Sequence, residues 1–193
     1  MGKGKIILAV IVVVAIAAAA AYFFVFAEKF DHNGKYVTAN ASELQPDAFE
    51  AQGSIVWSST ATTSPLPVAP STNTSYIVST FGIPADQISS YQFRIYAQNS
   101  GAALDRVEIH IIVLNTVDNA KAAYLLLPGL GTSYGKFEKS EKSADGMTYK
   151  FIDMNVIGYV KIVENYNKPT QAQVDKMMSN IENKIHAKAV PIP

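Results

Sequence analysis

The sequence predicts the α+β class: an N-terminal transmembrane helix followed by one domain, in which an antiparallel sheet of about five strands is covered on one face by two helices. Two observations carry this prediction. The run Ile6–Ala27 has no charged or amide side chain, and from Tyr91 onward the polar and apolar residues follow the order β-β-α-β-β-β-α. A chain of 193 residues has room for one anchor and one domain of ordinary size.

The apolar run is long enough to cross a bilayer. A helix rises about 1.5 Å per residue, so roughly 20 apolar residues span a hydrocarbon core of about 30 Å. Cleaved signal peptides have shorter apolar cores, of about 7 to 15 residues, so we expect the helix to be retained. Aromatic residues between Tyr22 and Phe26 gather at its C-terminal end, where such side chains commonly lie among the headgroups.

We expect the N-terminus in the cytoplasm and the domain outside it. Lys3 and Lys5 precede the run and no acidic residue does, which favours a cytoplasmic tail at residues 1–5. Beyond the run, residues 58–75 are rich in Ser, Thr and Pro, as external spacers are. Asn40 and Asn73 begin N-x-Ser sequons and are candidate glycosylation sites.

A stripe of small residues on the apolar run would let another transmembrane helix approach closely. Its members are Ala15, Ala17, Ala18, Ala19, Ala20 and Ala21. Packing against a membrane partner is one explanation of this stripe. An ordinary apolar span, in which Ala is a favourable helix former, is the other, and both stay open.

The rest of the chain divides into four parts. The turn-forming residues Asp31–Gly34 end the apolar helix near Phe30. Residues 28–57 are expected to form a juxtamembrane segment that docks on the domain, and residues 58–75 a spacer or long surface loop. The domain itself is expected at 76–188, with a short tail at 189–193.

Two strands of the domain show clear alternation, Tyr91–Ala97 and Arg106–Leu114. In the second, apolar residues occupy one face, and Arg106, Glu108 and His110 share the other. A solvated sheet face is the ordinary explanation of such a row. If a partner docks on the sheet, this row is where we expect its polar contacts.

The remaining elements follow from local signals. Thr116 is a fitting N-cap for a helix that Pro128 and Gly129 end, and strands are expected at 136–143, 147–153 and 156–164. Thr170–Gln173 forms a capping box that opens a long C-terminal helix. The apolar stripe of that helix consists of Val174, Met177, Met178, Ile181 and Ile185.

From Tyr91 to Ala187 the order of elements is similar to that of extracytoplasmic domains of the PsbP/Mog1 type, in which a sheet is flanked by helices that include a long C-terminal one. The resemblance is one of element order and rests on no diagnostic motif. It implies an α+β sandwich outside the cytoplasm and no particular activity.

Two glycine-rich patterns lack the context that their chemistry needs. Gly131–Gly135 matches G-x-S-x-G, with Ser133 as the nucleophile and with Asp153 and His186 following in α/β-hydrolase order. That motif lies between a strand and a helix, whereas here a helix precedes it and a strand follows. As a phosphate loop the pattern is one residue short, and Phe137 stands where a hydroxyl residue would bind magnesium.

The composition excludes further classes of site. The chain has no cysteine, which removes disulfides, thiolate metal sites and cysteine nucleophiles. His32, His110 and His186 are dispersed, so we expect no metal site and no cofactor. Lys and Arg number 16 and Asp and Glu number 16, without a basic cluster, so nucleic acid is not an expected partner. We expect no catalytic residue and no enzyme activity.

The favoured hypothesis is a non-catalytic, single-pass membrane protein whose extracytoplasmic domain interacts with other proteins, as an accessory or structural subunit of a membrane or cell-surface complex. Its expected partners are membrane lipid and membrane or surface proteins. One alternative is a pilin-like filament subunit, since pilins also combine a basic start, a long apolar helix and a β-rich head. The other is a domain that binds a small molecule or lipid in a groove lined by Met177 and Met178.

Overall fold

The computed structural model of the chain describes residues 34–46, 48–50, 56–58, 72–98, 106–133, 137–163 and 169–193. The expected transmembrane helix Ile6–Ala27, its alanines and residues 59–71 of the expected spacer lie outside these ranges. Within the ranges, no helix is both long and apolar enough to cross a membrane. All described elements fall in one structural unit, Asp31–Pro193.

The described residues form ten strands and four α-helices. The strands are β1 (Lys35–Val37), β2 (Ala48–Glu50), β3 (Val56–Ser58), β4 (Ile88–Gln98), β5 (Arg106–Leu114), β6 (Thr132–Ser133), β7 (Lys139–Lys142), β8 (Thr148–Asp153), β9 (Val156–Val163) and β10 (Ala189–Pro191). The helices are α1 (Ala41–Leu44), α2 (Ser75–Phe81), α3 (Val117–Leu126) and α4 (Gln171–Ala187). A 3-10 turn, Ala85–Gln87, leads into β4.

The strands form two antiparallel sheets. The larger sheet has eight strands in the order β2-β3-β4-β5-β9-β8-β7-β6. Strands β1 and β10 form a separate two-stranded ribbon. The α+β class and the antiparallel sheet are therefore confirmed. The sheet is larger than expected because the short strands β2, β3 and β6 extend its two edges.

Several elements begin and end where local signals predict. The hydroxyl of Thr116 accepts a hydrogen bond from the N–H of Asn119 at 3.0 Å and caps α3. Thr170 and Gln173 form the capping box of α4. Gly146 adopts a φ of 68° in the turn between β7 and β8, where a residue without a Cβ is favoured.

The two main helices lie on opposite faces of the sheet, so the expectation that both cover one face is wrong. Helix α4 packs on the face that carries Ile109 and Ile111, here named the α4 face. Helix α3 packs on the other face, here named the α3 face, where Lys150 lies 4.4 Å from the ring centroid of Tyr124. The cause lies in β5: its residues from Ile109 to Leu114 are all buried, so both faces need a cover.

A glycine at the centre of the α4 face allows close packing. The rings of Phe151 and Phe137 stack there with their centroids 4.1 Å apart. Gly158 pairs directly with Phe151 across the sheet, and a Cβ at Gly158 would come within 2.1 Å of that ring. This close approach explains a glycine in the middle of a strand.

The ribbon is tied to the sheet by the buried side chain of Asn155, in the turn between β8 and β9. Its Oδ1 accepts a hydrogen bond from the N–H of Val37 at 2.6 Å. Its Nδ2 donates to the carbonyls of Val37 at 2.9 Å and Leu114 at 3.0 Å. The expected docking segment and tail contribute β1, β2, α1, β10 and most of β3 to the fold, and Ser58 of β3 is the first residue of the expected spacer.

The variant Gly158→Ala is expected to lower the free energy of unfolding by about 2 kcal/mol, because the new methyl group overlaps a ring that is itself buried and stacked. Urea unfolding of the full-length protein in detergent, followed by circular dichroism, measures this loss. The control is Gly129→Ala, an exposed position where a Cβ meets nothing within 4 Å. Its effect should stay within about 0.5 kcal/mol. Equal midpoints for the two variants would contradict the close approach.

The variant Asn155→Ala is expected to cost about 3 kcal/mol or more, because one N–H and two carbonyls lose their partner and stay buried. Thermal unfolding of the full-length protein gives the loss, and hydrogen exchange at the Val37 amide locates it. Asn183→Ala, on the exposed side of α4, is the matched control. A loss no larger than that of the control would show that the amide does not hold the ribbon.

Candidate functional site

The candidate interaction site is the part of the α3 face around β5, where Arg106, Glu108 and His110 share one side of the strand. Nε of Arg106 lies 2.7 Å from Oε1 of Glu108, and both side chains are partly exposed. Lys161 of β9 pairs directly with Glu108 and is exposed. This end of the α3 face is therefore charged and open to solvent.

His110 differs from the other two residues of the row because it is covered, with only 3% of its surface exposed. Its ring stacks on those of Tyr76 in α2 and Phe93 in β4, with centroid distances of 5.3 and 4.5 Å. The histidine cluster, as we name it, consists of Tyr76, Phe81, Tyr91, Phe93, His110 and Tyr159. The row is thus solvated at Arg106 and Glu108 but not at His110.

The buried histidine is neutral in the folded protein near pH 7. Burial lowers the pKa of His110 to about 4, and burial also raises the pKa of Tyr91. The hydroxyl oxygen of Tyr91 lies 2.8 Å from Nδ1 of His110. Tyr91 keeps its proton and the ring is neutral, so the two groups share one hydrogen bond, in which the tautomer of the ring sets the donor. The histidine therefore acts as a packed aromatic group with a satisfied polar atom.

Helix α2, which brings Tyr76 over His110, was not predicted from the sequence. The helix starts at Ser75, the last residue of the expected spacer. One signal was present in the sequence, because Gly82 directly follows the apolar segment. In the structure this glycine adopts a φ of 72° and donates a hydrogen bond to the carbonyl of Val78. A glycine in this conformation after an apolar segment is typical of a helix end.

The structure brings Asp153 and His186 together but leaves Ser133 apart. Oδ2 of Asp153 lies 2.7 Å from Nε2 of His186 on the α4 face. Burial raises the pKa of Asp153, and the contact with His186 acts in the opposite direction. Ser133 pairs with Glu141, and Glu141 with Lys150, which places the serine on the α3 face. The sheet separates the serine from the pair, so these residues do not form a hydrolase triad.

Glu141 ties the loop after α3 to the edge of the sheet. Its Oε1 accepts a hydrogen bond from the hydroxyl of Tyr124 at 3.0 Å and lies 3.3 Å from Lys139 and 3.5 Å from Lys150. Its Oε2 accepts from the N–H of Leu130 at 3.0 Å. Burial acts to raise the pKa of Glu141, but these donors outweigh it and lower the pKa to about 2. The carboxylate is thus charged near neutral pH, where it holds no proton that it could donate, and it serves as a structural tie.

The two methionines considered for ligand binding have structural positions. Met177 and Met178 are buried in the core of the α4 face. A groove of about 470 Å³ lies elsewhere, between the β7–β8 turn and the N-terminus of α4. His32 lies outside the described residues, and His110 and His186 lie on opposite faces. In the part of the chain that the structure describes, no group of three metal-ligating side chains is found.

Both candidate glycosylation sites are on the surface. Asn40 is exposed directly before α1, and its N–H donates to the carboxylate of Glu43 at 2.9 Å. Asn73 is exposed two residues before the start of α2, and its Oδ1 accepts a hydrogen bond from the N–H of Ser75 at 2.9 Å. Their use as acceptors stays a prediction.

The variant His110→Gln is expected to remove an acid-dependent loss of stability. In the unfolded chain the ring binds a proton as the pH falls below 6.5, whereas the folded ring stays neutral down to about 4. The unfolded state therefore binds more protons in this window, and the free energy of unfolding falls from pH 7 to pH 4 by up to about 3 kcal/mol from this group. Glutamine keeps a hydrogen-bonding group for the hydroxyl of Tyr91. Parallel pH profiles of the two proteins would contradict a buried, neutral His110.

Comparison of the chain with protein-family models, with curated proteins and with solved structures found no match in any of the three. The similarity to PsbP/Mog1-type domains thus stays a likeness in element order.

Proposed function

We propose that the protein is a non-catalytic, single-pass membrane protein whose extracytoplasmic domain binds another protein of a membrane or cell-surface complex. The contact surface is the open end of the α3 face, at Arg106, Glu108 and Lys161. The observation that carries the proposal is the make-up of this surface. Half-buried Ile95 pairs directly with Glu108, so apolar area adjoins partly exposed charges of both signs. Protein interfaces combine such apolar area with a polar rim.

The membrane anchor in this proposal is the run Ile6–Ala27. Its support is the length of the run and its freedom from charged and amide side chains. The described domain starts at Gly34, so few residues separate it from the end of the run. An anchor this close would keep the domain at the membrane surface, where its partner is expected.

The non-catalytic part of the proposal is supported by how the buried ionisable groups are used. His110 is bonded to Tyr91, Asp153 to His186, and Glu141 to the loop after α3. Each of these bonds joins two separate elements of the fold. A general acid or base needs a free lone pair or proton directed at a substrate, and the bonded atoms of these groups are directed at other parts of the protein, with the His186 side chain itself 54% exposed.

Site-specific crosslinking tests the proposed contact surface. The chain has no cysteine, so a single introduced thiol is the only one. A photocrosslinker on the thiol of Lys161→Cys should join the protein to a different protein in native membranes. The control is Lys176→Cys, on the exposed side of α4, which should give no such product. Equal products from both positions, or none from position 161, would contradict the surface.

Extraction and labelling test the anchor and its orientation in the same cells. The full-length protein should stay in the membrane pellet after alkaline carbonate washing. A membrane-impermeant maleimide should label Lys176→Cys in intact cells but not Lys3→Cys. Release by carbonate would contradict the anchor. Products at position 161 that contain only further copies of this chain, together with surface filaments in electron micrographs, would favour the pilin-like alternative.

A further inference from the structure

We propose that the outward face of the β1–β10 ribbon is a lipid-contact surface that lies in the headgroup region of the membrane. The inference rests on the proposed function, since it takes Ile6–Ala27 as a membrane span. It assigns a partner, the lipid surface, to side chains that the protein–protein contact does not use.

The pairing of the ribbon decides which side chains point outward. Tyr36 pairs with Val190, and Val37 with Ala189. Directly paired residues lie on the same side of an antiparallel pair, and neighbours along a strand alternate. Val37 is buried in the core of the α4 face, so Tyr36 and Val190 point away from it.

The same face continues to Ile192. The N–H of Ile192 donates to the carbonyl of Gly34 at 2.8 Å, which extends the register of the ribbon by one pair. Alternation then places Ile192 on the side of Val190. Val190 is 38% exposed and Ile192 44% exposed. The outward face of the ribbon is thus an apolar strip in which polar residues would ordinarily be expected.

The position of the ribbon along the chain favours the lipid surface as the partner of its outward face. The described chain begins at Gly34, and nine peptide steps separate Ala27 from Tyr36. An extended chain covers at most about 3.3 to 3.6 Å per residue, so Tyr36 lies within about 30 Å of the end of the apolar run. Ile192 is bonded to Gly34, so it lies beside the residue at which the described chain begins.

The side chains of the ribbon also suit a lipid headgroup region. Tyrosine is enriched at membrane interfaces because its ring is apolar and its hydroxyl stays wet. Residues 34–37 and 188–193 contain no acidic side chain, and of their two lysines Lys188 is paired with Glu43 of α1 at 3.1 Å. Lys35 is exposed, but alternation places it on the side of Val37, so the polar group of the strip itself is the hydroxyl of Tyr36.

Depth-dependent quenching tests the lipid contact. The full-length protein carries a polarity-sensitive fluorophore on the single thiol of Ile192→Cys and is reconstituted into phosphatidylcholine vesicles. Spin-labelled phosphatidylcholine with the label near the headgroup should reduce the emission at position 192. The matched control is the same fluorophore on Lys176→Cys, exposed on α4, whose emission should not change. Ile192 is exposed, so the substitution leaves the core intact.

The outcomes separate this inference from the proposed function. Quenching at 192 but not at 176 supports lipid contact. Emission typical of water at 192, in protein that resists carbonate extraction, overturns the inference and leaves the anchor standing. A shielded probe that the spin labels do not quench also overturns it, because a second copy or another protein then covers the strip. Protein released by carbonate overturns the inference together with the proposed function.

Discussion

The arrangement of the domain depends on one buried amide, the side chain of Asn155. It satisfies both backbone polar groups of Val37 and the carbonyl of Leu114. Without a partner each of these groups would carry the cost of being buried away from water. The ribbon, the β8–β9 turn and the end of β5 are therefore stable only together. Because β1 pairs with β10, the same network also fixes the C-terminal strand.

The second constraint is a sheet whose central strand β5 is buried on both faces from Ile109 to Leu114. On the α4 face, aliphatic side chains and the stack of Phe151 on Phe137 fill the space under α4. On the α3 face, α2 and α3 cover only parts of the sheet, and polar groups fill the remainder. Glu141 and His110 are placed there with their polar atoms bonded internally. These two groups thus hold elements of the fold together, which supports the proposed non-catalytic role.

The two proposed contacts lie on different sides of the domain and do not compete. Val37 places the inner side of the ribbon on the core of the α4 face, so the lipid-contact strip faces away from the sheet. Arg106 and Glu108 lie on the α3 face. A domain resting on lipid through the ribbon would keep this charged surface in water. Both contacts depend on the short connection between the apolar run and Gly34.

The sequence by itself determined the elements whose signals are local. Alternation located β5 at Arg106–Leu114, and the capping box at Thr170 located the start of α4, because backbone geometry and capping depend on residues a few positions apart. Composition likewise determined that thiol chemistry is excluded.

Only the tertiary structure decided what covers each face. The burial of His110 depends on Tyr76, 34 positions earlier in the chain, and the ribbon joins Val37 to Ala189. The sequence marks His110 as polar and the C-terminal residues as a tail, since a side chain's own type does not show what packs on it. Contacts between distant segments are set by how all the apolar faces are buried at once, and no single stretch of sequence contains that information.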